Sequence, residues 1–297
     1  MRKHILNLGY SFLSILRVLR HSHFRVKKAS TDLASNSCLI LGNGPSLKVD
    51  LEILKDSNRL PDIWCVNFFA DSVDFERLKP KFYVFADPDF WSIESSGQLI
   101  ANREKLFLSI AKKTSWPLTI FVPYISKRYF ENIFRGLPNI SLSFFNHVTA
   151  SGIKQIVNFF YDMELAIPHA QNVLVLVLFL SIRRGYKNIF LLGADHSWHE
   201  TLVLDKDNRV CFRDRHFNDD NDELTPFYTG GQEKDTFTMS QSFKAFSLMF
   251  EGYWEVRRYA ERMSAQVYNA SLVSYIDAFK RISCADLLDI DFRVNDR

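Results

Sequence analysis

From Cys38 onward the chain alternates short apolar runs with polar breaks. Cys38-Leu39-Ile40-Leu41 runs into Gly42-Asn43-Gly44-Pro45-Ser46, and Ile63-Trp64-Cys65-Val66 into Asn67. Phe82-Tyr83-Val84-Phe85-Ala86 runs into Asp87-Pro88-Asp89, and Leu118-Thr119-Ile120-Phe121-Val122 into Pro123. Apolar runs of this length without alternation predict strands buried on both faces, as in a parallel sheet. Between them, helices are predicted over 47–58, with Leu47, Leu51 and Leu54 inward, and over 91–113 and 124–135. Another is predicted over 151–165, with Ile153, Ile156, Val157 and Phe160 on one side. The run Val173 to Leu180 fits a buried strand or a buried helix equally well. The basic turn Arg183-Arg184 and the Gly185 behind it predict the helix, closed by a glycine C-cap. Asn188 to Leu192 then reads as a strand ending in Gly193-Ala194-Asp195-His196. Helical character returns from Ser240 to Met263, and Gln266-Val267-Tyr268 is a short strand that ends at Asn269-Ala270-Ser271.

This succession predicts an α/β fold: a Rossmann-like, doubly wound, mostly parallel sheet. Three stretches depart from the pattern. Residues 199–236 are acid-rich and lack strong periodicity, which predicts a lid. Residues 285–297 form an acidic tail expected to fray. Residues 1–31 contain Arg2, Lys3, Arg17, Arg20, Arg25, Lys27 and Lys28 and no acid, so this arm carries +7 and the remainder −4. The expected division is therefore a basic arm over 1–31, a nucleotide-binding domain over 32–284 and the tail.

The arm is amphipathic, with Ile5, Leu8, Phe12, Ile15, Leu16 and Leu19 on one helical face and Arg2, Lys3, Arg17 and Arg20 to one side. It has no apolar run near the roughly 18 residues of a spanning helix and no small-residue cleavage site. Two readings stand. Residues 1–28 attach to an anionic membrane surface, which would make the protein peripheral on the cytoplasmic face. Alternatively, the helix packs on its own domain or on a partner. Nucleic acid is not an expected partner, because the basic residues lack aromatic interleaving and the body has no second basic patch. The composition, 297 residues with 47% hydrophobic and 24% charged, is that of a globular protein with a sizeable core. The 27 phenylalanines predict a core rich in aromatic rings. Cys38, Cys65, Cys211 and Cys284 form no C-x-x-C pair, so neither a zinc site nor a disulfide framework is indicated, and a reducing compartment is expected.

The stretch Gly42 to Ser46 reads as a phosphate-cradling turn. Gly42 and Gly44 permit positive φ and close approach of a ligand, Pro45 suits a first helical turn, and Ser46 joins neighbouring N–H groups in an anion site. It is neither G-x-G-x-x-G nor a P-loop, and an ordinary tight turn has the same spacing. In an open parallel sheet ligands bind beyond the carboxyl ends of the strands, where Asn43, Asn67, Asp87 and Asp195 are predicted to gather.

Gly42-Asn43-Gly44-Pro45-Ser46-Leu47 after a first strand, with Cys65 and Asn67 ending the second, resembles the bacterial sialyltransferases that use CMP-activated sialic acid. Gly185-Tyr186-Lys187-Asn188-Ile189-Phe190-Leu191-Leu192-Gly193-Ala194-Asp195 is similar to their helix-Gly-Tyr-Lys-strand-Gly-x-Asp segment. A wider clan shares this frame, including flagellin-modifying nonulosonate transferases and archaeal 6-hydroxymethylpterin diphosphokinase-like proteins. Its members resemble the Gly-Ala-Asp-His ending at least as closely. The resemblance runs over roughly residues 38 to 280.

The resemblance implies nucleotide binding by Gly42, Asn43, Gly44, Ser46 and Asn67. Asp87-Pro88-Asp89 stands where the sialyltransferases have Asn-Pro-Ser, so Asp87 would contact the nucleotide, or Asp87 and Asp89 would recruit a divalent cation. Asn172 is what remains of their Thr-Ser-Gly. Their catalytic base is a lid histidine, onto which no histidine here falls cleanly. The candidates are His196, His199 and His216, with His196 best placed directly after a strand tip; a histidine capping the sheet edge is its structural alternative. Asp195 would orient a histidine or a ribose, or cap the next turn. Asn269 and Ser271 would contact the base or form an Asx turn. Backbone N–H groups from Gly44 to Ser46 and tyrosines such as Tyr228 would take the departing phosphate.

The expected function is that of a glycosyltransferase. It would move a sialic-acid-like sugar from a CMP-linked donor to a cell-surface glycan, with no cofactor required. One alternative is magnesium-dependent diphosphate transfer from ATP to a hydroxymethyl group, with Asp87, Asp89 and Asp195 holding the metal. Another is a non-catalytic nucleotide-binding protein docked on a membrane assembly, which would retain Asn43 and Asn67 and need no histidine.

Overall fold

A computed structural model describes residues 2–26, 33, 35–55, 57, 60–92, 97–214, 223–229, 235–290 and 292. The chain opens with helix α1 (Arg2–His21), followed by β1 (Ser37–Leu41), α2 (Leu47–Ile53), β2 (Asp62–Val66), α3 (Asp74–Leu78) and β3 (Phe82–Val84). Next come α4 (Gly97–Lys113), β4 (Leu118–Pro123), α5 (Lys127–Phe134), β5 (Ile140–Phe145), α6 (Lys154–Asp162), α7 (Val173–Arg184) and β6 (Asn188–Leu192). The remainder holds β7 (Leu202–Leu204), β8 (Val210–Asp214), β9 (Glu223–Pro226), α8 (Met239–Arg262), β10 (Gln266–Asn269) and β11 (Lys280–Arg281).

Eight strands form one sheet in the order β11-β10-β6-β1-β2-β3-β4-β5, and every neighbouring pair is parallel. One core packs α1, α6, α7 and α8 on one face, and a second core packs α2 to α5 on the other. The doubly wound expectation holds. Helix α7 is the axis of the first core: Leu176, Val177 and Leu178 are fully buried, each contributing roughly 1.5–3 kcal/mol. Asn172 caps its start and Gly185, at φ +100°, closes it.

Four elements differ from the sequence reading. Strand β5 lies between two predicted helices, and its Ile-Ser-Leu-Ser-Phe alternation suits its place on the sheet edge. The expected structureless lid contains an antiparallel three-stranded sheet, β7-β8-β9, packed through Phe212, Phe227 and Phe237. The tail does not fray at Ala285: a 3-10 turn spans Ala285–Asp289, Leu287 is buried, and Phe292 packs edge-on against Phe190. Its apolar residues, rather than its acids, decide that packing. Helix α2 ends at Ile53, and Asn58, its expected end, lies outside the described residues.

Helix α1 docks on the body through a face that apolar patterning does not mark. Ser11, Ser14, Val18 and Ser22 are buried, whereas Leu8, Phe12, Leu16 and Leu19 point outward. The Ser14 hydroxyl donates to Ser151 O (2.8 Å) and accepts from Ser151 N–H, and Ser11 Oγ accepts from Ile153 N–H at 2.7 Å. Close approach is possible because Gly152, at φ +118°, has no side chain: a Cβ there would lie 2.3 Å from Ser11 Oγ. Gly152→Ala is expected to cost about 2 kcal/mol. Urea unfolding should show that loss, and amide exchange should show α1 losing protection before β1.

Candidate functional site

The strand order reverses at β1. The chain moves outward through β2 to β5, then crosses back by way of α6 and α7 to lay β6 on the other side of β1. Such a switch point leaves a crevice beyond the strand ends. Here it is a cavity of about 510 Å³. Asn43, Gly44 and Pro45 after β1, Asn67 after β2, Asp87 after β3, His147 after β5 and Asp195 and His196 after β6 all line it. Gln171 and Asn172, at the start of α7, and Trp198 complete the wall.

The glycine loop is built differently from the expected phosphate cradle. Neither Gly42 nor Gly44 has positive φ. What requires glycine is the approach of the β6 tip, since a Cβ on Gly42 would lie 2.4 Å from Gly193 O and one on Gly44 2.3 Å from Asp195 Oδ1. The N–H groups of Gly44 and Ser46 are also spent. Gly44 N–H donates to Gly193 O (2.8 Å), and Pro45 has none. Ser46 gives its N–H to Asp195 Oδ2 (2.9 Å) and its hydroxyl to Oδ1 (2.6 Å). The anion at this turn is the protein's own carboxylate. Gly42 and Ser46 therefore lie behind the cavity wall, and Asp195 positions the loop.

Asn67 takes the left-handed conformation at φ +50°, which asparagine tolerates better than most residues. Asn43 Nδ2 donates to Val66 O (3.3 Å), drawing the first two strand tips together. Asp87 caps the next turn by accepting from Asp89 N–H at 3.0 Å. Desolvation at the wall raises the Asp87 carboxyl above its ordinary range, although the residue as a whole is exposed. His147 lines the same cavity, and its imidazole is pushed below 6.5 by desolvation while the Asp87 charge opposes that shift. His147 was not among the sequence candidates; it stands two residues past Phe145, the end of β5.

His196 is buried, at φ +55°, with its ring stacked on Trp198 at 4.9 Å. Desolvation lowers its pKa to about 4, so it is neutral at pH 7. The hydrogen-bond chain behind it sets its tautomer. Asn172 Oδ1 accepts from Leu174 N–H (2.8 Å) and Val175 N–H (3.3 Å), which fixes that atom as the oxygen. Tyr253 must then donate to Asn172 Oδ1 (3.1 Å) and so receives the His196 Nε2 proton in its other hydrogen bond. Nδ1 of His196 keeps the lone pair. Asn172 Nδ2 is buried and has no hydrogen-bond partner among the described residues.

The other candidates lie elsewhere. Asn269 is fully buried, donating to Ser274 Oγ (2.9 Å) and Ile276 O (3.3 Å), with Oδ1 accepting from Ser271 N–H in an Asx turn. Ser271 Oγ accepts from Ala194 N–H at 3.0 Å. Both brace the strand tips from behind. His199 packs edge-on against Tyr275, and Tyr228 pairs with Thr236 in the lid. His216 lies outside the described residues. Asp89 lines a smaller cavity of about 130 Å³ that shares Asn67 and Asp87 with the main one. With Asp195 bound to Ser46, the expected three-carboxylate metal site does not assemble. Among the described residues, no three His, Cys, Asp or Glu side chains gather as a metal ion would need.

No family model matches this chain, and no curated protein matches it. Among solved structures, the MAf glycosyltransferase from Magnetospirillum magneticum AMB-1 is similar at 12% identity, with a TM-score of 0.48. The match covers 93% of this chain and 38% of that one, so this chain spans well under half of its neighbour's length.

Proposed function

We propose that this protein is a glycosyltransferase that holds a nucleotide-activated sugar, CMP-linked and sialic-acid-like, in the cavity between the β1 and β6 tips. Asn172 carries this reading. A buried N–H donor without an acceptor costs about 1–3 kcal/mol; Asn172 lines the cavity beside the N-terminus of α7, and its buried Nδ2 has no hydrogen-bond partner among the described residues. A phosphate oxygen of the donor satisfies it and lies at the positive end of that helix dipole. Asn43 and Asn67 hold the nucleotide, and the face of Trp198 closes one side.

Transfer then needs a base for the acceptor hydroxyl. His147 takes that proton as the acceptor oxygen bonds to the sugar carbon, while the sugar–phosphate bond breaks and its electron pair leaves with the nucleotide. Asp87 steadies the imidazolium that results. His196, neutral and locked by Tyr253, offers Nδ1 as a fixed acceptor for a donor hydroxyl. No metal has a role in this scheme. The magnesium-dependent alternative loses its third carboxylate to Ser46, and a purely binding role gives no reason for a histidine and a carboxylate to line the same cavity.

Calorimetry of the full chain against CMP, UDP-sugars and ATP, each with and without Mg²⁺, tests the reading. Metal-independent CMP binding is expected. Asn172→Asp keeps the oxygen that caps α7 but replaces the donor with a charge, and should weaken that binding roughly tenfold to a hundredfold. Mg²⁺-dependent ATP binding without a response to CMP would overturn the proposal.

A further inference from the structure

We infer that α1 is an interfacial anchor that seats this domain on an anionic lipid bilayer, an inference that does not rest on the transferase reading. The helix has two faces with opposite fates. The docked face is mostly serine, and Ser22 Oγ donates to Leu165 O at 2.6 Å. The outward face carries the apolar residues, with Phe12 61%, Leu16 47% and Leu19 62% exposed, against 1% for Val18. A helix that served only its own core would bury those leucines and leave the serines in water. The apolar face is held outward by hydrogen bonds on the other side, and Phe24 (62%) and Ile125 (80%) are exposed as well. Their chain neighbours His23 and Tyr124 stack ring on ring at 4.0 Å.

Charge selects the occupant. Residues 1–31 hold seven Lys and Arg and no acid, while the remaining chain is net −4. Arg20 follows Leu16 by one helical turn and so flanks the apolar stripe. Packing this face against a second copy would oppose like charges with no acid in the segment to neutralise them. An anionic headgroup layer supplies the missing charge, and the acyl boundary takes the apolar side chains. Among the described residues, no helix is long and apolar enough to cross a membrane. A helix of 20 residues lying flat, about 30 Å long, suits the interface instead.

The anchor is rigidly tied to the cavity. Asn146 accepts His23 N–H at 2.7 Å and donates back to His23 O (3.2 Å), and the next residue is His147 at the cavity wall. Seating α1 therefore sets the height and tilt of the cavity above the bilayer, as a loosely tethered arm would not.

Co-sedimentation of the full chain with phosphatidylcholine vesicles, and with equal mixtures of phosphatidylcholine and phosphatidylglycerol, tests this. Binding to the mixed vesicles is expected, falling as salt rises. Phe12→Ser/Leu16→Ser should weaken it by roughly tenfold or more and Arg20→Gln by about fivefold. Both variants alter exposed positions, and an unchanged thermal midpoint will show that the body stays folded. The inference fails if the full chain ignores the mixed vesicles or if the double variant binds like the parent. It also fails if the chain is a dimer that the double variant makes monomeric without lipid being bound.

Discussion

His147→Ala is expected to lower kcat by roughly 10²–10⁴-fold, the range for removing a positioned acid–base group, with calorimetric CMP binding kept within a few fold. The size follows from the absence of a substitute among the described residues. The other histidine in the cavity has a pKa of about 4, and its Nε2 is committed to Tyr253. The pH profile separates the two. A base works in its neutral form, so kcat/KM should fall as pH drops through the His147 pKa, which desolvation places below 6.5 while Asp87 raises it. Asp87→Asn removes that upward pull and should move the acid limb to lower pH, with a reduced plateau because the base is weaker. If His196 were the base, the limb would lie near pH 4, Asp87→Asn would leave it in place, and His147→Ala would have little effect.

His147 is hidden in the sequence for a specific reason. The rule that polar residues at strand tips share a crevice points to Asn43, Asn67, Asp87 and Asp195, and all four line the cavity. The tip at residue 147 escapes that rule because β5 lacks the continuous apolar run of the central strands. The strand's apolar-polar alternation, Ile140-Ser141-Leu142-Ser143-Phe144, is that of an edge strand with one wetter face, unlike the continuous apolar runs of the central strands. Reading that alternation as a seventh predicted strand brings its tip into the list.

The glycine loop shows another limit. Its position beside the crevice is legible in the sequence, but its chemistry is set by Asp195, 149 residues away from Ser46. No local pattern shows that a carboxylate from the β6 tip already occupies the turn. Helix α1 is similar. Its apolar periodicity correctly indicated an amphipathic helix, but Gly152 and the serine hydroxyls decide which face meets the body. Small polar side chains that admit a backbone leave almost no hydrophobic signature.

His196→Asn is expected to flatten the acid side of the stability curve, which is a larger effect on folding than any other single replacement considered. The folded protein holds this imidazole near pKa 4, whereas an unfolded chain would titrate it near 6.5. Between those values the unfolded state binds the extra proton. Unfolding free energy must therefore rise with pH across that window and be lost as pH falls through it. At about 1.4 kcal/mol per pH unit the full difference is roughly 3 kcal/mol. Asparagine suits the φ of +55° and retains an N–H donor on the Tyr253 side of the site. It costs some packing at every pH but does not titrate. His147, depressed in the same direction, and Asp50 and Asp87, raised by burial, also titrate in the acid range. The diagnostic quantity is therefore the difference between parent and variant, not either curve alone. Urea denaturation from pH 4 to pH 7 should show that difference changing by roughly 3 kcal/mol, with the parent losing more stability toward acid. A constant difference would mean that protonation of His196 meets no resistance in the folded state. The neutral, Tyr253-locked imidazole assigned to the donor pocket would then have to be abandoned.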